Sequence, residues 1–251
     1  MEYIGITIFL LYIWAFFIEP ELLSVKHYKV SGLNGKKIVF ISDFHVGKFE
    51  ETRLKRIVKK VNELNPDLVL SGGDYIKEIT EKYTMPIEKQ AEILAEINAP
   101  VVSVLGNHDA FFDKYRVQKA LERNGIKVLR NSNTKIGDIS IAGVEDMQTS
   151  IPQPETALEG TDGYTILLSH TPDIYPDVKQ DVDLILAGHV HGGQVRVPFI
   201  GALICPSKYG TIYSCGDFKE TENRMIVTKG LGTSKLTVRF NAIPEIVVLE
   251  E

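Results

Sequence analysis

Residues Asp183–Gln194 have the sequence DLILAGHVHGGQ, in which a short apolar run ends at a glycine and two histidines follow. Four consecutive apolar residues bounded by glycine, Leu184–Ala187, predict a buried strand. The glycines beyond the strand allow the backbone to turn sharply, because they carry no Cβ atom. His189 and His191, which are separated by one residue just past the strand end, are therefore expected to direct both imidazoles into one cleft.

The same layout, an apolar run followed directly by potential metal ligands, occurs at four other places in the chain. These places are Ile38–Ser42 before Asp43 and His45, Leu68–Gly73 before Asp74, Val101–Gly106 before Asn107, His108 and Asp109, and Ile166–Ser169 before His170. Of the six histidines, only His27 lies elsewhere. Near-continuous apolar strands are expected in a sheet covered on both faces, and functional sites in such sheets lie beyond the carboxyl ends of the strands. The layout predicts one metal site built from several strand ends.

These segments, in this order, resemble the motif series of the calcineurin-like metallophosphoesterase superfamily. The series D-x-H, G-D, G-N-H-D/E, H and G-H-x-H is present as Asp43-Phe44-His45, Gly73-Asp74, Gly106-Asn107-His108-Asp109, His170 and Gly188-His189-Val190-His191. The resemblance extends from about Lys37 to the C-terminus, and GHVHGGQ resembles a bacterial branch that is often tethered to membranes. It implies the family fold, an α/β sandwich of four layers (αββα) in which helices flank two mixed sheets.

The resemblance also implies a role for each residue of the motifs. The ligands of a first metal ion would be Asp43, His45, Asp74 and His191, and those of a second would be Asp74, Asn107, His170 and His189. Asp74 would bridge the two ions, and a hydroxide between them would attack phosphorus in line with the leaving oxygen. His108 would donate a proton or hydrogen bond to the leaving group, and Asp109 would fix its orientation. The alternative for Asp109 is a loop or helix-cap residue.

The donor types and two departures from the family pattern bear on the metals and the substrate. Nitrogen and oxygen ligands without thiolate suit two divalent or trivalent transition-metal ions, such as Mn, Fe, Co or Zn, and do not choose among them. Protein phosphatases of the superfamily follow the second motif with an Asp-Arg-Gly element, whereas Asp74 is followed here by Tyr75-Ile76-Lys77-Glu78, without such an arginine. The third motif ends in Asp109 rather than Glu. Both features are more similar to the phosphodiesterase and pyrophosphatase branches.

The rest of the chain is predicted to surround these strand ends with helices and further strands. Apolar periodicity predicts helices over Glu51–Leu64, from Pro86 onward and over Asp113–Asn124. Alternation of strands and helices favours a parallel-rich sheet. An edge strand is expected at His27–Ser31, and Thr211–Leu249 is expected to be mostly strand and turn. With 251 residues, of which 44% are hydrophobic, the chain is expected to form one catalytic domain over residues 24–251.

The N-terminal segment, residues 1–23, is predicted to be a hydrophobic anchor. Tyr3–Ile18 has 16 residues and no charge, and as a helix it would span about 24 Å, short of a hydrocarbon core of about 30 Å. A run that is apolar on every side favours a membrane-spanning or interfacial helix over the alternative, a buried helix. The lysines that follow the run are Lys26, Lys29, Lys36 and Lys37. By the positive-inside tendency they place the catalytic domain on the cytoplasmic side of a membrane.

Three classes of function remain open for such a chain. A metal-dependent phosphodiesterase or pyrophosphatase is the leading hypothesis. The alternative is a nuclease or nucleotide phosphodiesterase acting on soluble substrates. Nucleic acid is disfavoured, because the net charge is −5 and no basic stretch is interleaved with aromatic residues. A non-catalytic scaffold is the third class, and the complete ligand set argues against it.

A second apolar stretch, Val197–Ile204, follows the histidine pair and bears on the substrate. It is expected either as a buried strand and turn or as an exposed apolar rim beside the metals. A rim would suit a lipid-linked phosphate ester, and UDP-diacylglucosamine is a specific candidate because its hydrolysis occurs in this superfamily. Arg196, which precedes the stretch, is expected on a strand surface rather than as a phosphate clamp.

Overall fold

Alternating strands and helices make up most of the chain, which a computed structural model describes over residues 2–219 and 222–251. The α-helices are α1 (Glu2–Ile13), α2 (Glu51–Glu63), α3 (Ile87–Leu94), α4 (Asn107–Arg123) and α5 (Pro154–Leu158). The first seven strands are β1 (Ser24–Lys29), β2 (Ile38–Ile41), β3 (Leu68–Ser71), β4 (Val101–Ser103), β5 (Lys127–Val128), β6 (Ser132–Ile136) and β7 (Ile139–Gly143). The remaining strands are β8 (Tyr164–Leu168), β9 (Leu184–Ala187), β10 (Arg196–Val197), β11 (Gly201–Ala202), β12 (Gly216–Phe218), β13 (Met225–Val227) and β14 (Glu245–Glu250).

Most of these strands belong to two mixed sheets. Within the described residues the first sheet has the order β1-β14-β2-β3-β4-β5 and the second has the order β12-β13-β9-β8-β7-β6. The run from β2 to β5 is parallel, as is the run from β13 through β9 and β8 to β7. Antiparallel pairs join β14 to β2, β12 to β13 and β6 to β7. The parallel runs therefore form the centre of both sheets.

The layers follow from the alternation of side chains along each strand. In β2, Ile38 and Phe40 face a core between the two sheets, whereas Val39 and Ile41 face a second core that includes residues of α2, α3 and α4. Outward-facing residues of the second sheet, such as Ile185, pack in a third core together with residues of α5. Three cores between four layers confirm the predicted αββα sandwich. They also explain why the central strands are apolar on both faces.

The predicted helices are present, but α4 starts earlier than expected and α5 was not predicted. Helices α2 and α3 lie where apolar periodicity predicted them. Helix α4 begins at Asn107 and not at Asp113, where the backbone is extended (φ −176°, ψ 93°) and interrupts the helix. Its first turn carries polar site residues in place of an apolar stripe, so periodicity detects only the part after the interruption.

The N-terminal segment is helical and largely exposed. Helix α1 continues through a π-helical turn, Trp14–Ile18, and a short 3₁₀ turn, so that Tyr3–Glu21 is long and apolar enough to cross a membrane by length and composition alone. Only 17% of this segment is buried, which excludes the alternative of a buried helix. Its C-terminal end contacts the domain, since the Ala15 carbonyl oxygen accepts a hydrogen bond from the Arg239 backbone N–H at 2.9 Å. The boundary between residues 23 and 24 stays a prediction.

Candidate metal centre

The carboxyl ends of the central parallel strands of both sheets meet at one edge of the sandwich. Potential ligands follow five of these strands, and each one is at least 93% buried. They are Asp43 and His45 after β2, Asp74 after β3, Asn107 after β4, His170 after β8, and His189 and His191 after β9. The structure therefore brings all seven predicted ligands together, as parallel pairing of the strands requires.

Backbone strain is concentrated at these residues. Five of the seven have a left-handed φ angle, namely Asp43 (56°), His45 (41°), Asp74 (55°), His189 (70°) and His191 (51°). For residues other than glycine this conformation costs about 1–2 kcal/mol each, and it persists where surrounding contacts enforce it. The chain between β2 and α2 is held in this way, since the backbone N–H groups of residues 43 and 45 donate to the carbonyl oxygens of Gly73 (2.9 Å) and Asp74 (3.0 Å).

Two glycines allow the strand ends to approach one another closely. A Cβ atom at Gly106 would overlap Oδ1 of Asp74, and a Cβ atom at Gly188 would overlap Oδ2 of Asp43. Both glycines belong to the sequence motifs, and their role here is to leave room for the carboxylates of neighbouring strands.

One group of donor atoms surrounds His45. Its Nε2 atom lies 3.1 Å from Nε2 of His191 and 3.5 Å from Oδ2 of Asp74. Nε2 of His191 is in turn 3.6 Å from Oδ1 of Asp43. These are the four residues predicted for the first metal ion.

A second group of donor atoms surrounds His170. Its Nε2 atom lies 3.3 Å from Oδ2 of Asp74, 3.0 Å from Oδ1 of Asn107 and 3.1 Å from Nδ1 of His189. The same carboxylate oxygen of Asp74 thus lies close to both groups. This is the position that a shared ligand requires.

The protonation of the imidazoles fits a cation at each group. Nδ1 of His45 is 3.0 Å from the Ile76 carbonyl oxygen, and Nδ1 of His170 is 2.8 Å from the Gly72 carbonyl oxygen. A carbonyl oxygen can only accept, so each Nδ1 carries a proton and, in a neutral ring, each Nε2 presents a lone pair. Lone pairs that face other acceptors repel one another unless a cation lies among them. Such oriented imidazoles with carboxylate and amide oxygens suit transition-metal ions.

Burial sets the charge of these groups. It lowers the pKa of His45 to about 3, and burial together with the adjacent His170 lowers the pKa of His189 to about 4. Both rings are therefore neutral at pH 7, the form that binds a metal. Burial raises the pKa of Asp74, but the His170 imidazole outweighs it and holds the pKa of Asp74 below its usual range. The shared carboxylate is accordingly ionised. Burial likewise lowers the pKa of His170, but the Asp74 carboxylate outweighs it and holds the pKa of His170 above its ordinary value.

His108 reaches the centre, but Asp109 does not orient it. The Nδ1 atom of His108 is 3.0 Å from the Lys77 carbonyl oxygen, which fixes the ring. The Asp109 carboxylate instead accepts backbone N–H bonds. Its donors are Asp74 (2.8 Å), Tyr75 (2.9 Å), Gly106 (3.0 Å) and Ile76 (3.1 Å). The cap alternative therefore describes Asp109, which closes the first turn of α4 and holds the chain after β3.

Two arginines that sequence reasoning did not single out support the site. Arg53, on α2, donates to the carbonyl oxygens of Phe44 (2.7 Å) and Leu231 (3.2 Å). Arg239 is fully buried and donates to several carbonyl oxygens, including those of Ala242 (2.6 Å) and Lys229 (2.9 Å). These contacts with backbone carbonyl oxygens leave no pattern in sequence, since every residue has such an oxygen.

An apolar cleft of about 620 Å³ adjoins His191, and its lining includes Ile204, Leu236 and Val238. The stretch Val197–Ile204 beside it forms most of the β10–β11 hairpin, with several apolar side chains in solvent. Of the two alternatives for Val197–Ile204, the buried strand and turn is wrong, and the structure shows an exposed apolar rim. Arg196 donates to the Gly192 carbonyl oxygen at 3.0 Å and anchors the base of the hairpin.

Comparison with known proteins agrees with this geometry. The family model described as calcineurin-like phosphoesterase matches residues 36–193, which include every predicted ligand. The chain belongs to the calcineurin-like phosphoesterase family. It is therefore a metal-dependent phosphoester hydrolase, as the motifs predicted.

Relatives of this calcineurin-like phosphoesterase match it over most of its length. The uncharacterized metallophosphoesterase YkuE of Bacillus subtilis is 33% identical, with 94% of this chain and 88% of the relative covered. The phosphodiesterase YaeI of Escherichia coli is 31% identical, with 85% and 81% covered. A transmembrane protein with metallophosphoesterase domain from Danio rerio is 32% identical, with 85% of this chain and 52% of that protein covered.

A solved structure agrees with the fold of this calcineurin-like phosphoesterase. The protein TT1561 of Thermus thermophilus superimposes with a TM-score of 0.51 at 15% sequence identity, and the match covers 78% of this chain and 90% of that one. At this identity the likeness concerns the fold alone.

Proposed function

We propose that this calcineurin-like phosphoesterase is a dinuclear metal-dependent enzyme that hydrolyses a phosphodiester or pyrophosphate bond in a lipid-linked substrate. The observation that carries the dinuclear part is the position of Oδ2 of Asp74, which lies 3.5 Å from Nε2 of His45 and 3.3 Å from Nε2 of His170. One carboxylate oxygen between two groups of imidazoles is the arrangement that holds two cations side by side.

In this proposal the two groups of donor atoms divide as the family motifs divide them. Asp43, His45, Asp74 and His191 would hold the first ion, and Asp74, Asn107, His170 and His189 would hold the second. When bound, the cations neutralise the charge of the phosphate group and lower the pKa of a coordinated water. The four imidazoles add no negative charge, so an anionic ester meets a centre whose charge is not cancelled by its ligands.

His108 supplies the proton that the leaving group needs. Its Nδ1–H donates to the Lys77 carbonyl oxygen, so the form that can give a proton from Nε2 to a leaving oxygen is the imidazolium, and the ring returns to neutral with Nδ1–H still in place. Asp109 is a positioning residue in this scheme, because its carboxylate holds the backbone of Asp74 and the first turn of α4.

A diester substrate is supported by the residues directly after Asp74. Phosphatases of the superfamily follow this motif with an Asp-Arg-Gly element, whereas Asp74 is followed here by Tyr75-Ile76-Lys77-Glu78, which lacks that arginine. Fewer cations at the phosphoryl group suit a substrate with one negative charge better than a monoester with two. The relative named phosphodiesterase YaeI supports the same class.

A lipid-linked substrate is supported by the surroundings of the centre. An apolar cleft adjoins His191, and the exposed Tyr3–Glu21 segment would hold the domain at a membrane. The lysines after this segment favour a catalytic domain on the cytoplasmic face. UDP-diacylglucosamine combines a pyrophosphate with acyl chains and is the specific candidate.

The metal assignment is tested by replacing the shared ligand. Asp74→Ala should lower the metal content from about two transition-metal ions per chain to near none, because one carboxylate serves both ions. Metal content is measured by mass spectrometry of the purified full chain, and Asp177→Ala, which removes an exposed carboxylate, is the matched control. Retention of both ions by Asp74→Ala would overturn the shared-ligand assignment.

The substrate class is tested separately on the intact chain with Mn²⁺. Bis-p-nitrophenyl phosphate should be hydrolysed faster than p-nitrophenyl phosphate, and single-stranded DNA should be a poor substrate. Among pyrophosphate-linked lipids, the acylated form should exceed its deacylated counterpart in kcat/KM. Equal values for the two forms would refute the lipid part and leave the soluble-substrate alternative.

A further inference from the structure

We propose that the β10–β11 hairpin and the loop around Leu236 form a second membrane contact, which holds the cleft beside His191 against an anionic lipid bilayer. This inference rests on the proposed membrane location of the enzyme and adds the surface that determines its orientation there. It requires neither a particular substrate nor an active metal centre.

The first argument is the exposure of large apolar side chains on these two loops. Phe199 is fully exposed at the hairpin tip, and Ile200, Ile204 and Leu236 are between 65% and 80% exposed. Burying such side chains in a bilayer is favourable by the area that leaves water. A hairpin tip with adjacent aromatic and branched apolar residues is therefore suited to insertion at a lipid surface.

The second argument is that these loops and the N-terminal helix are attached to the same short segment of chain. The Arg239 backbone N–H donates to Ala15 at the end of that helix (2.9 Å), and the Phe240 backbone N–H donates to the Gln194 carbonyl oxygen (2.9 Å). The Phe240 carbonyl oxygen accepts in turn from the Arg196 N–H at 2.8 Å. A membrane that receives the helix therefore lies near the base of the hairpin.

The third argument is charge, which identifies the occupant as an anionic bilayer. Residues 184–216 contain no Asp or Glu, and neither do residues 223–244, in a chain with 33 acidic residues. Lys208 and Lys235 are exposed within these two segments. A surface that combines apolar tips with cations and excludes acids matches anionic headgroups above acyl chains.

The cleft lies between the β10–β11 hairpin and the loop around Leu236. Its lining includes Leu203 and Ile204 on the hairpin side, Leu236 and Val238 on the other side, and His191. With both loops at the lipid surface, the cleft opens toward the headgroups. An ester would then reach the centre while its acyl chains remained in the bilayer.

The contact is tested by photocrosslinking of the full chain in vesicles of phosphatidylglycerol and phosphatidylcholine. The photoreactive residue p-benzoylphenylalanine replaces Phe199 in one variant and Ile151 in the control. Ile151 is 75% exposed and is held by Asn131 near β6, at the opposite edge of the second sheet from β12. Lipid adducts, measured by intact mass, should be several-fold more abundant at position 199. Adding Lys208→Glu and Lys235→Glu should reduce that yield in the mixed vesicles and leave it unchanged in pure phosphatidylcholine.

Equal adduct yields at positions 199 and 151 would overturn the proposal, as would crosslinking of position 199 to a second copy of the chain. Turnover of bis-p-nitrophenyl phosphate by the same samples is recorded separately. If position 199 forms lipid adducts but the same samples do not hydrolyse the diester, the phosphodiesterase proposal is contradicted and the membrane contact stands.

Discussion

At the scale of single residues, His108 is held by two separate contacts. Its backbone N–H donates to Oδ1 of Asp74 at 2.9 Å, and its ring is fixed by the Lys77 carbonyl oxygen. The first contact depends on the backbone alone and survives any change of side chain. A substitution at His108 should therefore remove the imidazole and keep the backbone contact with Asp74.

We expect His108→Ala to retain its metal ions and to lose about 10²-fold in turnover of a diester with an alkoxide leaving group. The loss should be smaller with a p-nitrophenolate leaving group, which needs less help from a proton. Steady-state kinetics on the two diesters and metal analysis measure the effect. His27→Ala, which removes an exposed histidine paired with Glu250, is the control. Loss of metal or unchanged turnover would contradict the role of proton donor.

At the scale of elements, Glu50 joins the start of α2 to the chain after β3. Its carboxylate lies 2.6 Å from the Arg53 guanidinium and 3.0 Å from the Lys77 ammonium group. Arg53 in turn holds the Phe44 carbonyl oxygen. Burial raises the pKa of Glu50, but Arg53 and Lys77 outweigh it and lower the pKa below its ordinary value.

This carboxylate predicts a pH dependence of stability. Because the pKa is lower in the folded than in the unfolded chain, the stabilisation is fully present above the ordinary value of 4.5 and is lost as the pH falls below it. Glu50→Gln should lower the free energy of unfolding by up to about 1 kcal/mol at pH 7. The difference from the unsubstituted chain should shrink as the pH falls below 4.5.

Urea titrations at several pH values measure this difference. Glu92→Gln, which changes an exposed carboxyl on α3, should show no such trend. If the difference in free energy of unfolding between Glu50→Gln and the unsubstituted chain grows as the pH falls, the lowered pKa assigned to Glu50 is contradicted.

At the scale of the whole molecule, the N-terminal segment divides into an exposed part and an attached part. Helix α1 is exposed along most of its length, whereas Ala15 and Glu19 are buried against the domain. The Glu19 carboxylate accepts the Ala242 backbone N–H at 2.6 Å. A truncation that spares Glu19 therefore leaves the domain contacts intact.

We expect deletion of residues 2–13 to release the protein from membranes into the supernatant at high salt, because the large apolar helix is gone and any remaining headgroup attraction is screened. Sedimentation before and after a salt wash measures the distribution. Hydrolysis of bis-p-nitrophenyl phosphate shows that the truncated chain is folded. Persistence in the membrane pellet at high salt would contradict the anchor assignment.

The central strands could be predicted from the residues themselves, and the four-layer sandwich and the division of the ligands from the family resemblance that the motifs carry. Apolar runs such as Leu184–Ala187 specify buried strands locally, and the motif residues directly after them are carried to one edge by parallel pairing. Helix α2 was equally predictable from its apolar stripe. In these cases the relevant signal lies within a few consecutive residues.

The roles of Asp109, Arg53 and Arg239 became visible only in the folded chain, because many of their partners are backbone groups that the fold brings to them. Backbone donors and acceptors are the same in every residue, so sequence does not indicate which of them a side chain meets. Likewise, Val197–Ile204 has a composition that suits a buried strand. It is an exposed rim because no other layer packs over its apolar side chains within the described residues. Whether a stretch is covered depends on the assembled layers and not on the stretch itself.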